Sequence, residues 1–174
     1  ARRRGVGWHL CARVSARGVG NLFGVWCAID SDQGTKATAV APLPLGAAIE
    51  LLPFLALLPA RNTGIAFSMF AGLGDVGLSL LAGAVLVVVL ILWWKTPAER
   101  RLTHFGLAII VGGAIGNLID RVRLGYVVDY VYFHTPAFDF AVFNLADACI
   151  TVGAIIILLD EFVLVRSGPD AAAG

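Results

Sequence analysis

The feature that most constrains the fold is an uninterrupted apolar run at residues 76–94. A helix of about 20 apolar residues crosses the hydrocarbon core of a bilayer. This run of about 19 residues ends in a tryptophan pair, which suits a membrane interface. Because 59% of the chain is hydrophobic and only 14% is charged, composition favours the same class. The sequence therefore predicts a single membrane domain.

Three further segments are predicted to cross the membrane: residues 14–31, 102–119 and 141–165. Together with residues 76–94 they predict an all-α polytopic membrane protein with four transmembrane helices. The apolar stretch 19–29 is too short for a full span unless the helix starts further back and includes Arg13 and Arg17. A cleaved signal peptide is the competing interpretation of this N-terminus. Residues 168–174 are expected to form a disordered tail.

Basic residues predict the orientation of these helices. Residues 1–20 carry five arginines, and the loop after the second predicted span carries Lys95, Arg100 and Arg101. Short loops rich in lysine and arginine stay on the cytoplasmic side. We therefore expect both termini and residues 95–101 to be cytoplasmic, and residues 37–75 and 121–140 to lie on the opposite face.

The region between the first two spans is predicted not to be helical. Residues 37–61 contain four prolines, which exclude one long helix and favour an interfacial segment along the membrane surface. Residues 61–69 then alternate with period two and place Asn62, Gly64 and Ser68 on one small, polar face. This pattern predicts a short strand. Such a face could pair with an extended peptide or pack for structure alone, and the pattern fits both.

Polar residues collect at the ends of the third and fourth predicted spans, where contact with hydrocarbon would be costly. Asn117 and Asp120 are three residues apart, and Asn144 and Asp147 repeat this spacing. Residues three apart share one face of a helix, so each pair is expected to point at the same site.

A third carboxylate, Asp129, lies between these pairs, on a predicted short apolar loop at residues 126–133 that must return across the same membrane face. The three carboxylates can therefore converge. Two of them also have a structural interpretation. Asp120 could form an ion pair with its neighbour Arg121, and Asp147 could cap the helix that follows it.

Other catalytic chemistries lack the residues that they need. The three cysteines and three histidines are scattered without metal-ligand spacing, so no metal or other cofactor is expected. Ser68 and the cysteines have no nearby histidine that could activate a nucleophile. Asp139, close to Pro136, is expected to be an exposed loop residue without a role in the site. Two carboxylates that share one proton could hydrolyse an amide, so the other aspartates are the candidates.

Five short motifs occur in order along the chain: Asp32-Gln33-x-Thr35-Lys36, Asn62-x-Gly64-x-Ala66-Phe67-Ser68, Gly112-Gly113-x-x-Gly116-Asn117-x-x-Asp120-Arg121, Val128-Asp129-Tyr130 and Phe143-Asn144-x-Ala146-Asp147. Each is short, but the ordered set resembles that of bacterial lipoprotein signal peptidase, signal peptidase II. The N-terminus departs from the family, which has a full apolar first helix before its Asp-Gln motif.

The resemblance implies an intramembrane aspartic endopeptidase. Such an enzyme cuts the signal peptide from diacylglyceryl-modified prolipoproteins on the N-terminal side of the lipidated cysteine. The resemblance assigns the catalytic pair to Asp129 and Asp147. It assigns substrate binding or orientation of the aspartates to Asn62, Asn117, Arg121 and Asn144. It assigns structural support to Asp32, Lys36 and Asp120.

The resemblance also implies a small periplasmic β-strand cradle within residues 37–69. The protein would be a multi-pass protein of the bacterial inner membrane, with its active site at the periplasmic face. Expected partners are prolipoprotein substrates and membrane lipids, without nucleic acid, and the chain is expected to be monomeric. A small proton-coupled transporter or channel subunit is the alternative. That class would show an internal repeat and discontinuous helices, and the sequence shows neither.

Overall fold

The computed structural model describes residues 6–64 and 74–166. In chain order, its elements are α1 (Val6–Thr35), a π-helical turn (Lys36–Val40), β1 (Ile49–Leu52), β2 (Leu55–Asn62), α2 (Gly74–Lys95), α3 (Arg101–Leu124), β3 (Val127–Thr135), β4 (Phe138–Asp139) and α4 (Leu145–Arg166). The described part of the chain thus combines four long helices with one four-stranded antiparallel sheet. The predicted tail at residues 168–174 lies outside it.

Helix α1 begins before the predicted first span and continues without a break to Thr35. Val25 and Ala28 are buried against α3, whereas Val19, Phe23 and Trp26 are largely exposed. The apolar stretch alone is short, but backbone hydrogen bonding carries the helix beyond it at both ends. As a result the Asp-Gln motif lies on the last turn of α1.

Helix α2 is apolar around its circumference. Val76, Leu80, Val85, Val88 and Trp94 are each more than half exposed. Among the described residues, Val76–Lys95 and Arg101–Leu124 form helices long and apolar enough to cross a membrane. Such a large exposed apolar surface is costly in water, so α2 fits a lipid surrounding.

Helix α3 is the central helix, in contact with α1, α2 and α4. Its glycines let the neighbouring helices approach closely. Gly112 lies against Ala28 of α1, and Gly113 lies against the backbone of Ala146 in α4. In a bilayer, lipid tails are as apolar as leucine, so close packing between small residues holds helices together.

The sheet has the strand order β1-β2-β3-β4. The sequence predicts a strand at residues 61–69, but β2 already ends at Asn62, and residues 65–69 lie outside the described part. The first two strands instead lie almost entirely within the predicted interfacial segment, residues 37–61, and β2 extends one residue beyond it. Its prolines are compatible with strands, because Pro53 lies in the turn between β1 and β2 and Pro59 lies at a register shift in β2.

Strand β3 corrects a second prediction, because residues 126–133 are not a loop. Val127 and Tyr130 are buried, and so is Asp129 between them. Valine and tyrosine favour such a pleated surface, but burial on both faces removes the alternation that would reveal a strand. β3 pairs with β2 so that Asn62 lies opposite Val127, next to Asp129.

The packing at Gly116 generates a stability prediction. A Cβ at this position would lie 2.7 Å from Oδ2 of Asp32, a buried carboxylate. Gly116→Ala should therefore lower the free energy of unfolding by about 1–3 kcal/mol. Thermal unfolding of purified protein in detergent measures it.

Gly83→Ala in α2 is the matched control, because a Cβ there meets no atom within 4 Å. It should be neutral or slightly stabilising, since alanine favours a helix over glycine. Equal stability of the Gly116→Ala variant and the unmodified protein would contradict the close approach of α1 and α3.

Candidate active site

Asp129 and Asp147 lie on different elements that meet at one end of the helices. Asp129 is on β3 and only 2% exposed, and Asp147 is in the first turn of α4. Asn117 Nδ2 donates to Oδ1 of Asp147 at 2.8 Å, and Asn144 Nδ2 donates to Oδ1 of Asp129 at 2.7 Å. Asn144 Nδ2 also donates to Oδ1 of Asn117 at 3.0 Å. Two side-chain amides therefore bridge the two carboxylates.

A third amide holds the other oxygen of Asp129. Asn62 Nδ2 donates to Oδ2 of Asp129 at 2.9 Å, while Asn62 Oδ1 accepts from the Gly64 N–H at 2.9 Å. The pKa of Asp129 is raised to about 6, chiefly by burial and also by the charge of Asp147. The hydrogen bonds from Asn62 and Asn144 lower this pKa, but by less. Asp129 is thus able to hold a proton far closer to neutral pH than an ordinary aspartate.

Asp147 also caps α4, as one interpretation of the sequence predicts. The Asn144 N–H donates to Oδ2 of Asp147 at 3.3 Å, and the Asp147 N–H donates to Oδ1 of Asn144 at 2.9 Å. This is a reciprocal capping box with aspartate in place of glutamate or glutamine. The cap uses Oδ2 and leaves Oδ1 directed at Asn117. Capping therefore orients the carboxylate and is compatible with a catalytic role.

Asp120 forms a structural ion pair, but its partner is Lys36 and not the adjacent Arg121. Lys36 Nζ lies 2.7 Å from Oδ2 of Asp120 and 2.7 Å from Oδ2 of Asp32, and all three side chains are buried. Gln33 Nε2 donates to Oδ1 of Asp120 at 2.9 Å and to Oδ2 of Asp32 at 3.2 Å. This ion-pair cluster (Asp32, Gln33, Lys36 and Asp120) joins the end of α1 to the end of α3.

The ion-pair cluster also holds the backbone beside both candidate catalytic residues. Asp120 Oδ2 accepts from the Val128 N–H at 3.1 Å, one residue before Asp129. Asp32 Oδ1 accepts from the Ala146 N–H at 3.1 Å, one residue before Asp147. Asp32 and Asp120 therefore fix the positions of the strand and the helix that carry the carboxylate pair.

Arg121 points from α3 toward the loop after β2. Its guanidinium donates to the Gly64 carbonyl at 3.0 Å and approaches the Asn117 carbonyl at 3.5 Å. It also interacts electrostatically with Asp147 and Asp129. The Arg121 guanidinium is thus a cation that acts on the carboxylate pair, whereas the Lys36 ammonium is paired with Asp32 and Asp120.

All of the predicted site residues lie in one connected region, but the prediction that Asn117 and Asp120 point at the same site is wrong. Asn117 donates to Asp147, whereas Asp120 pairs with Lys36 and does not join the pair Asp129 and Asp147.

Gln33 belongs to the Asp-Gln motif but has no role assigned from the sequence, because its contact with Asp120 depends on the packing of α1 against α3. Asp139 is exposed as predicted, but it lies in β4 and not in a loop, and it accepts from the Tyr132 hydroxyl at 2.9 Å at the far end of the sheet. Among the described residues, no three His, Cys, Asp or Glu side chains are arranged to hold a metal ion.

Comparison with known families bears on what this site is. The family model for signal peptidase II matches residues 24–163, which include every residue of the site. The chain belongs to the signal peptidase II family. Members of this family are proteases, and the ordered motifs are therefore those of a protease family.

Relatives and solved structures agree with this membership. The lipoprotein signal peptidases of Brucella ovis and Brucella canis are each 54% identical to the chain over 143 residues, covering 82% of the chain and 89% of each relative. One solved structure, described as a bacterial membrane enzyme, shares 26% identity with a TM-score of 0.76, over 86% of this chain and 90% of that one. A second, described in the same words, shares 27% identity with a TM-score of 0.72, over 80% of this chain and 90% of that one.

The ion-pair cluster generates a prediction about folding. Lys36→Met would leave Asp32 and Asp120 buried without a cation, so it should cost about 3–5 kcal/mol of folding free energy. The yield of folded protein and the midpoint of thermal unfolding in detergent measure this loss. Lys95→Met, at the exposed end of α2, should change either value little. Normal stability of the Lys36→Met variant would show that the cluster does not fix the fold.

Proposed function

We propose that the chain is an aspartic endopeptidase that cleaves the signal peptide of diacylglyceryl-modified prolipoproteins on the N-terminal side of the lipidated cysteine. The observation that carries this proposal is the pair of Asp129, which is buried, and Asp147, which is half-buried, bridged by the amides of Asn117 and Asn144. Membership of the signal peptidase II family and the relatives' description as lipoprotein signal peptidases support it.

The proposed mechanism uses one proton shared by the two carboxylates. Two carboxyl groups close together in a poorly solvated site do not readily ionise at the same time, because their negative charges repel. One group therefore stays protonated while the other is a carboxylate. The carboxylate removes a proton from water, which attacks the scissile carbonyl carbon. The acid protonates the carbonyl oxygen, which gives a tetrahedral diol. As the carbon–nitrogen bond breaks, the group that took the proton from water donates it to the leaving amine, and the other group regains its proton from the diol as the new carboxyl group forms.

The predicted substrate-binding residues differ in whether their hydrogen-bond donors are already used within the protein. Asn62, Asn117 and Asn144 already donate to the aspartates, so we assign them to orienting the carboxylates. Arg121 contacts backbone carbonyls, and a guanidinium has five donors, so it retains donors for a substrate carbonyl. We assign Arg121 to holding the substrate backbone next to the pair.

We further propose that all four helices span the bacterial inner membrane. The loop that joins α2 to α3 carries Lys95, Arg100 and Arg101 and would be cytoplasmic, with both termini on the same side. The sheet and the carboxylate pair, at the other end of α3, would then lie at the periplasmic face. A substrate held in the bilayer by two acyl chains could reach this position by lateral diffusion.

The alternative function, a proton-coupled transporter or channel subunit, has less support. Such proteins bind near the bilayer midplane at interrupted helices. Here the carboxylates lie at the end of α3, beside a sheet, and both α3 and α4 are continuous. Cleavage of a lipidated peptide by purified protein without any ion gradient would separate the two functions.

The central test replaces each aspartate of the pair. Asp129→Asn and Asp147→Asn each keep the shape and remove the exchangeable proton, so each should reduce turnover by about a thousandfold. The double variant should lose little more, because residues that act as a unit are not additive. Cleavage of a lipidated prolipoprotein peptide in detergent, normalised to folded protein, gives the rates.

Asp139→Asn is the matched control for this test, since Asp139 is exposed and lies outside the carboxylate pair. It should retain near-normal turnover. Substantial activity in either Asp129→Asn or Asp147→Asn would show that the pair is not the catalytic machinery.

Arg121 provides an independent test of the substrate site. Arg121→Lys keeps the charge but cannot reproduce forked donation to carbonyl groups, so activity should fall by at least about tenfold. If the lysine variant, at normal protein level, cleaved the peptide at the normal rate, Arg121 would serve only to complement the helix end.

A further inference from the structure

A cavity of about 530 Å³ lies behind the sheet and away from the carboxylate pair. Its walls are largely apolar and include Val40, Leu43, Leu45, Pro59 and Leu124. Polar side chains are also present: Arg61, Arg123 and Tyr126 line the same cavity. This size and this mixture of apolar walls with a few polar groups are typical of small-molecule sites.

The geometry of β2 separates this cavity from the carboxylate pair. Successive side chains of a strand point to opposite faces. Asn62 points toward Asp129, so Arg61, paired with Val128, points to the other face of the sheet. The cavity is therefore distinct from the proposed catalytic site, although the two share a strand.

The end of α3 shows the same separation. Asn117 and Arg121 are four residues apart and face the carboxylate pair. Asp120, Arg123 and Leu124 line the cavity, and they lie on a neighbouring face of the helix.

The charges that line the cavity favour an anion near the two arginines. Asp120 and Lys36 lie on its inner wall and pair with each other at 2.7 Å. Arg123 and Arg61 are exposed, and neither has a carboxylate partner among the described residues. The guanidinium of Arg61 lies 4.8 Å above the ring of Tyr126, which fixes its position at the wall.

We propose that this cavity binds one anionic phospholipid of the surrounding leaflet. The phosphate lies between Arg61 and Arg123, and an acyl chain lies along the apolar walls. Guanidinium groups bind phosphate through charge-assisted, often bidentate hydrogen bonds, and the apolar walls distinguish a lipid from a free phosphate. The assignment rests on the membrane placement proposed above but not on the chemistry of Asp129 and Asp147.

Native mass spectrometry of the full chain in a neutral detergent tests the proposal, with dioleoyl phosphatidylglycerol as the probe. The protein should retain one such lipid, and the double variant Arg61→Gln/Arg123→Gln should bind it at least about tenfold more weakly, because two charge-assisted contacts are lost. Dioleoyl phosphatidylcholine should bind more weakly than phosphatidylglycerol, because its choline carries a compensating positive charge. Equal retention by the protein and the double variant would overturn the site.

Three comparisons sharpen this test. The double variant Lys95→Gln/Arg101→Gln removes two exposed cations at the opposite end of the bundle and should bind normally. Ala41 also lines the cavity, and Ala41→Phe should fill part of the space for the acyl chain. This variant should weaken lipid binding without changing charge. Asp129→Asn should bind the lipid normally, which separates this proposal from that of the catalytic pair.

Glycerol 3-phosphate alone is the last probe and should bind far more weakly than the lipid. If it competed as effectively as the lipid, the site would recognise a free phosphate. Loss of lipid binding in Asp129→Asn, or in the Lys95→Gln/Arg101→Gln variant, would place the lipid elsewhere and overturn the proposal.

Discussion

The site depends on one buried cation, Lys36, which is shared by Asp32 and Asp120. A buried charged group is strongly destabilising unless it is paired. Separating these three groups would leave unpaired buried charges, so they stay together. Each carboxylate uses a remaining lone pair to accept a backbone N–H, from Val128 in one case and from Ala146 in the other. The cluster thereby positions the chain on the N-terminal side of each candidate catalytic aspartate.

Burial has a different effect on Asp129, because it raises the pKa of this carboxyl group. Among the described residues no lysine or arginine forms an ion pair with Asp129, and its hydrogen-bond partners Asn62 and Asn144 are neutral amides. Amide donors stabilise a carboxylate less than a paired cation would, so burial keeps the pKa of Asp129 high. One region of the fold thus contains carboxylates that pair with Lys36 and hold structure and, beside them, a pair suited to exchanging a proton.

Much of this arrangement was predictable from the sequence, and the reasons differ between residues. The long apolar run that forms α2 is a local pattern, so it indicates a helix directly. The three-residue spacing correctly relates Asn144 to Asp147, which cap α4 together, but Asn117 and Asp120 contact different partners. The sequence does not predict the positions of β2 and β3 correctly, for two physical reasons. Pro59 is tolerated because it lies at a register shift, and β3 is buried on both faces and shows no alternation.

The partners of the charged residues depended on tertiary structure. Adjacent residues in sequence suggested that Asp120 pairs with Arg121, yet side chains at successive helical positions point about 100° apart. Lys36 reaches Asp120 because α1 packs against α3 through Gly112 and Gly116. The role of Gln33, between the two aspartates, became visible only with that packing.

The central claim is that Asp129 and Asp147 work with one shared proton, and the pH dependence of cleavage tests it most directly. Since burial raises the pKa of Asp129 to about 6, the active form should lose its proton as pH rises from about 6 upward, and gain a second proton at lower pH. The account predicts a bell-shaped profile of kcat/KM for a lipidated prolipoprotein peptide, measured on purified folded protein between pH 4 and pH 9, with the alkaline limb at or above about pH 6. A rate that rises with pH to a plateau on the alkaline side would show that the fully ionised pair is active, and would contradict the account.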